Sequence, residues 1–181
     1  MSELNPDDLD AERLYRDLRV GVGRLMLPGR VMVGIWSGGA WLAERLFADL
    51  CGPAAPGAEG CARSPGAPGV LSSALHRDDF GERGLAGGNA TTHLPFEIDG
   101  AHIVLIDDVM YTGRTARAAI NELFDYGRPA SVELAVLVDR GGRHLPFAPT
   151  FAATRVTLPE SRRLSLARDP DGRLRFSIGD A

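Results

Sequence analysis

The sequence predicts an α/β domain on a mainly parallel sheet flanked by helices, and three observations carry that prediction. Short apolar runs of strand length, "VMVGI" (31–35), "HIVLI" (102–106) and "SVELAVLV" (131–138), recur along the chain. Segments with helical spacing lie between them, and glycine turns stand where strand hands over to helix. Continuous rather than alternating apolar runs suit strands buried on both faces, as in a parallel sheet between helices. The 181 residues, 44% hydrophobic and 24% charged, predict one well-cored domain over 1–181 with no internal repeat.

Each element has its own justification. From Leu9 to Met26 the residues Leu14, Leu18, Val22 and Leu25 recur at helical spacing, with Arg13, Arg16 and Arg24 on the opposite face. After the strand at 31–35, "SGG" opens a helix from Ala40 to Leu50. Residues 51–69 are rich in Gly, Ala and Pro and predict a loop or locally disordered insertion. A strand at 70–76 follows, and then a polar, glycine-rich stretch, 77–93, long enough to be a mobile flap. A strand at 94–98, the "DG" turn at 99–100 and the strand at 102–106 read as a hairpin. A helix from Arg114 to Tyr126 should stop at Gly127, with Pro129 just beyond. After the strand at 131–138 and another near 150–154, "RRLSLARDPDGRLRFSI" alternates about an Asp-Gly turn and predicts a C-terminal β-ribbon.

Bulk properties narrow the function classes. No apolar run approaches bilayer length, and the acidic start "MSELNPDDLDAE" is unlike a targeting signal, so a cytoplasmic location away from membranes is expected. Cys51 and Cys61 lack zinc-site spacing, and a reducing compartment would leave them unpaired. A net charge of −4 and a pI near 5.6 argue against indiscriminate nucleic-acid binding. His76, His93, His102 and His144 have no motif spacing and read as structural or solvated.

The chemistry concentrates in "VLIDDVMYTGRT", 104–115. In a parallel sheet, ligands bind beyond the carboxyl ends of the strands, which is where Asp107 and Asp108 fall. Met110 to Thr115 lead into a helix, so backbone N–H groups, the helix dipole and the hydroxyls of Thr112 and Thr115 suit a phosphate. Carboxylates accept from sugar hydroxyls or, through water, hold a divalent cation. Together the halves describe a 5-phosphoribosyl group. Acid pairs also end strands in phosphoacceptor domains and NTPases, but no glycine-rich lysine loop precedes this one. A purely structural loop leaves two adjacent carboxylates uncompensated.

On that motif the chain resembles the type I phosphoribosyltransferases, which bind phosphoribosyl pyrophosphate (PRPP) at such a loop. Over "DDVMYTGRTARAAINELFDYGRPASVELAVLVDRGGRHLPF" (107–147), with "GRPA", "LAVLVDRG" and "HRDD" (76–79), it is similar to the PyrR branch. Members of that branch combine RNA-dependent attenuation of pyrimidine genes with uracil phosphoribosyltransferase activity. The resemblance implies that Asp107 and Asp108 hold the ribose hydroxyls and, via PRPP, Mg2+. It implies a PRPP-binding segment of Asp107, Asp108, Val109, Met110, Tyr111, Thr112, Gly113, Arg114 and Thr115, with Tyr111 to Thr115 on the 5′-phosphate. Val138, Asp139, Arg140 and Gly141 would line the uracil pocket, though the pattern alone equally suits a plain strand exit. Arg77 could close over pyrophosphate as a third catalytic residue, or be a solvated loop charge.

The reaction implied is displacement of pyrophosphate from C1′ of PRPP by N1 of uracil, giving UMP. Positioning and electrostatic donors matter more there than a strong base. Two places depart from the family pattern. In "IWSGGAWLAERL" (35–46), Trp36-Ser37 stands where relatives carry Thr-Arg, while Ser37, Gly38 and Gly39 keep the turn of a pyrophosphate loop. The first helix lacks the Thr-Arg…Ala-His-Glu pattern that reads an RNA loop. Arg13, Arg16 and Arg24 then read as phosphate contacts or as a charged solvent face. A uracil phosphoribosyltransferase of this type ranks first, and a nucleotide-sensing, RNA-binding attenuation regulator with little turnover second. Relatives form dimers and higher assemblies, so a homo-oligomer is expected.

Overall fold

Residues 9–52, 66–72 and 91–180 are described by a computed structural model of the chain. Their elements run α1 (Ala11–Leu25), β1 (Arg30–Ile35), α2 (Gly38–Cys51), β2 (Gly69–Leu71), β3 (His102–Met110), α3 (Arg114–Tyr126), β4 (Ser131–Asp139), β5 (Phe151–Arg155), β6 (Arg162–Arg168) and β7 (Leu174–Asp180). β1 to β5 form a parallel sheet in the order β2-β1-β3-β4-β5, and β6 and β7 pair antiparallel as a separate ribbon.

Strand alternation distributes two cores. Met32, Val104, Ile106, Ala135 and Leu137 pack with α1, α2 and the ribbon residues Leu164, Leu166 and Leu174. Val31, Val33, Ile103, Leu105 and Val136 pack with Ala116, Ala119 and Leu123 of α3. Each fully buried side chain of leucine size contributes ~1.5–3 kcal/mol, so both faces must be covered and the continuous apolar runs are explained. The same topology contains a switch point. β1 leads through α2 to β2 on one side, whereas β3 leads through α3, on the opposite face, to β4 on the other. The strand order therefore reverses between β1 and β3, the point beyond whose carboxyl ends open parallel sheets bind their ligands.

α1 begins where Asp10 caps it, accepting from the Glu12 and Arg13 amides at 3.0 and 3.1 Å. Its buried face includes Leu14, Leu18 and Val22, with Arg13, Arg16 and Arg24 exposed. Glu12 accepts from both terminal nitrogens of Arg45 on α2, each at 2.8 Å, and from the Leu174 amide at the start of β7 at 2.9 Å. The hydrogen bonds from Arg45 hold the Glu12 carboxyl below its usual range despite partial burial. Tyr15 donates to Asp49 at 2.7 Å, and burial, then that bond, pushes the phenol well above its ordinary pKa. α1 is thus tied to both α2 and β7.

Four expectations need correction. Residues 94–98 form no strand and no hairpin with 102–106; His93 makes an isolated antiparallel bridge to Val70 instead. β3 is the central strand, parallel to β1 and β4, and Ile103 to Ile106 are buried on both faces, as a strand of a parallel sheet between two covering layers requires. The Asp99-Gly100 turn exists, with Gly100 at φ +65°, but it folds buried Ile98 under the sheet. β2 spans Gly69–Leu71 and Ser72 is already outside it, while 73–76 of the expected strand lie outside the described residues; β3 runs on through the aspartates to Met110. Finally, Cys51 is disulfide-bonded, against the expectation of unpaired thiols. Most of the 51–69 insertion and of the 77–93 flap lies outside the described residues. No described helix is long and apolar enough to cross a membrane.

Candidate active site

Alternation along β3 decides where its two acids go. Asp108 shares the face of Ile106, toward α2, and Asp107 shares that of Leu105, toward α3. Asp107 is only 4% exposed, and its Oδ1 accepts the Asp108 amide at 3.0 Å. α2 starts directly on this strand end. A Cβ at Gly38 would lie 2.3 Å from Asp108 Oδ2, and one at Gly39 2.3 Å from the Ile106 carbonyl oxygen. Only glycine permits that approach. The turn before it contains a cis Trp36–Ser37 peptide, and the Ser37 side chain makes no capping bond to α2. Trp36 lines a groove of about 930 Å³ with Trp41, Phe47 and Arg168, an apolar setting that suits tryptophan.

The 110–115 loop leaves β3 at buried Met110 and enters α3 through Gly113, whose φ of +92° is left-handed. Gly113 offers α3 no side-chain cap, and the first-turn N–H groups, which by helix geometry have no intrahelical acceptors, lie at the positive end of the helix dipole. Thr112 is buried at 4% exposure, with its Oγ1 3.3 Å from the Arg114 amide.

The neighbouring 139–147 loop folds against it. The Arg140 guanidinium lies 3.8 Å from the centre of the Tyr111 ring and donates to the Pro159 carbonyl at 3.2 Å. Its Nε is buried without a hydrogen-bond partner among the described residues. Burial pulls the Arg140 pKa down, and Tyr111 partly offsets this. Asp139 accepts from the Gly141 amide at 3.1 Å and from Arg143 Nη2 at 2.5 Å. A Cβ on Gly142 would lie 2.4 Å from the Tyr111 ring.

Residues 28–156 match the Phosphoribosyl transferase domain family. Among curated proteins, the chain is 45% identical over 174 residues to the Bifunctional protein PyrR of Ralstonia nicotianae, covering 93% of this chain and 92% of that one. It is 41% identical over 177 residues to the Bifunctional protein PyrR of Nitrosococcus oceani, covering 96% and 93%. The chain belongs to the PyrR family of phosphoribosyltransferases. The fold agrees with solved members of the wider class. The HGPRT-ase of Leishmania tarentolae, in complex with GMP, aligns at TM-score 0.52 and 14% identity over 83% of this chain and 81% of that one. The hypoxanthine phosphoribosyltransferase of Trypanosoma cruzi, in complex with IMP, aligns at 0.50 and 18% over 81% and 73%.

In this PyrR-family chain the residues singled out from sequence fall into two contacts. Gly38 and Gly39 meet Asp108 and the strand end. Tyr111 to Gly113 meet the loop that begins at Asp139, Arg140 and Gly141. Arg77 lies outside the described residues. Arg13, Arg16 and Arg24 sit exposed on α1. Sequence reasoning missed Arg143, whose Nη1 donates to the Tyr111 carbonyl at 2.6 Å. The one available signal was the i,i+4 spacing of Asp139 and Arg143 in "DRGGR".

Proposed function

We propose that this chain, as one phosphoribosyltransferase domain, is a uracil phosphoribosyltransferase converting uracil and PRPP to UMP and pyrophosphate in the cytoplasm. The observation that carries the proposal is the seat of Gly38 against Asp108 at the strand-order reversal, which brings an anion-binding turn onto an acid pair. Asp107 and Asp108 accept from the ribose hydroxyls. Tyr111 to Thr115 donate N–H and hydroxyl groups to the 5′-phosphate. Ser37, Gly38 and Gly39 face pyrophosphate, and Val138 to Gly141 take the base. Arg140 Nε, buried without a partner among the described residues, is a donor that a ring carbonyl would satisfy. Arg77 belongs with the pyrophosphate as a proposed cation.

The donor set fits Mg2+. Two carboxylates offer hard oxygen ligands, and no group of three or more His, Cys, Asp or Glu converges among the described residues. A pair of acids suits an ion that is also held by substrate phosphates and water. When bound there, Mg2+ supplies charge neutralisation for the departing diphosphate. The protein's part is to orient C1′ and receive the charge that develops on the leaving group. PRPP-dependent conversion of radiolabelled uracil, with hypoxanthine, guanine and orotate as competing bases, tests the reading; preference for a purine would overturn it.

The pyrophosphate turn gives a separate expected result. An arginine beside the glycines would offer charge-assisted donors where Ser37 offers one neutral hydroxyl. Trp36→Thr with Ser37→Arg should raise kcat about tenfold or more, since ~1.4 kcal/mol suffices. A folded double variant with kcat unchanged or lower shows that another cation already fills the role.

A second reading is favoured by the exposed Arg13, Arg16 and Arg24 on α1, and by the word "Bifunctional" in the relatives' names. We infer that any RNA binding is weak and steeply salt-dependent, because arginines on a helix face contact phosphates without reading bases. Gel-shift titration against a pyrimidine leader transcript checks it. Tight binding that survives moderate salt and rejects a scrambled loop would put the regulator first. We also expect a homo-oligomer, which sedimentation would measure.

A further inference from the structure

Arg143 occupies an unusual position for a half-buried loop arginine, because nearly every acceptor it meets is main chain. Its Nη1 donates to the Tyr111 carbonyl at 2.6 Å and the Gly141 carbonyl at 3.1 Å, and lies 3.4 Å from that of Met110. Its Nε donates to the Phe147 carbonyl at 3.0 Å, and its Nη2 to Asp139 Oδ1 at 2.5 Å. The guanidinium thereby bolts the 110–113 turn to the 139–147 loop. Backbone amides extend the pattern. The Met110 carbonyl also accepts from the Arg140 amide at 3.0 Å, and the Thr112 carbonyl from the amides of His144 and Leu145 at 3.0 and 3.1 Å.

Three successive carbonyls of the turn therefore point into the 139–147 loop. In a trans peptide the C=O of one residue and the N–H of the next are directed oppositely. The amides of Tyr111, Thr112 and Gly113 must face away from that loop. A run of N–H groups turned to one side is an anion-binding concavity, and holding it open without ligand removes the cost of ordering it on binding.

We propose that Arg143 is a positioning residue that holds the Met110 and Tyr111 carbonyls toward the 139–147 loop and so preorganises the amides of the turn for the 5′-phosphate of the substrate. This rests on the proposed reading of that turn as the phosphate loop. Arg143 itself touches no reacting atom. Its planar fork is what reaches acceptors spread over two loops, and a lysine carries the charge without that geometry.

Ribose 5-phosphate, which engages the turn but carries neither base nor pyrophosphate, is the probe. Calorimetry on the full chain should show its affinity falling at least tenfold in both Arg143→Lys and Arg143→Ala, with circular dichroism confirming the fold. In steady state, KM for PRPP should rise by a similar factor while kcat stays within about threefold, because the lost interaction is made equally in ground and transition states. Wild-type affinity restored by Arg143→Lys would mean that charge alone matters and would overturn the proposal. So would folded variants that bind ribose 5-phosphate within twofold of wild type. If Arg143→Ala does not fold, Arg143→Lys alone decides. A wild-type chain that turns over uracil but does not bind ribose 5-phosphate would refute the positioning role while leaving the activity standing. One that neither binds nor turns over would sink both.

Discussion

Replacing Asp107 and Asp108 together by asparagine is expected to abolish PRPP-dependent turnover while leaving the fold in place. The fold should survive because the asparagine carbonyl can still accept the amide that Asp107 Oδ1 accepts now at 3.0 Å. What disappears is charge. Each charge-assisted hydrogen bond is worth about 1.5–3 kcal/mol, so removing two costs about 3–6 kcal/mol, or roughly a hundred- to ten-thousandfold in rate. PRPP binding should weaken in parallel. Calorimetry that shows unchanged PRPP affinity in the double variant would sink the ribose assignment.

Gly39→Ala should damage fold and activity together. The added Cβ would lie 2.3 Å from the Ile106 carbonyl oxygen and 3.0 Å from the Asp107 Cα, both main chain of the central strand, so no side chain can swing aside. Either α2 lifts from the sheet or β3 shifts. Overpacking of this kind costs about 1–3 kcal/mol or more, which for a chain of this size lowers Tm by roughly 2–12 °C. Turnover should fall further than stability does, because the displaced strand end carries the acid pair. Gly23→Ala is the contrast. That glycine is exposed on α1, and its Cβ would meet only Leu50 Cδ2 at 3.5 Å. Helix propensity then dominates and should raise stability by up to about 1 kcal/mol. Equal melting temperatures for the two variants would refute the steric argument.

Which parts of this were legible in advance follows from the range of the interactions involved. The apolar run at 102–106 announced a buried strand, and Gly127 announced the end of α3, because both signals are local. Pairing is not local. An Asp-Gly turn at 99–100 suggested a hairpin, whereas β3 lies parallel to β1 and β4. The acid pair and the glycine turn were readable as chemistry. That Gly38 must be glycine because a carboxylate from 70 residues later lies against it was not. Arg143 was hidden for a different reason: four of its five acceptors are carbonyl oxygens, which every residue carries. A side chain that reads backbone leaves no partner type in the sequence to search for.

The tie among Glu12, Arg45 and the Leu174 amide has a consequence for how the chain acquires its structure. A ribosome releases α1 before β5 and β7, the elements whose side chains, Phe151 and Leu174 among them, belong to the core around its apolar face. Glu12 and Leu174 are 162 positions apart. Closing so long a loop is entropically costly before its contacts reward it, and contacts of this span slow folding. Until residues beyond 174 emerge, Leu14, Leu18 and Val22 face water or a chaperone. α1 should therefore gain amide protection last in pulse-labelled refolding, after the sheet core of β1, β3 and β4, and a nascent chain arrested before β6 should expose it to proteolysis.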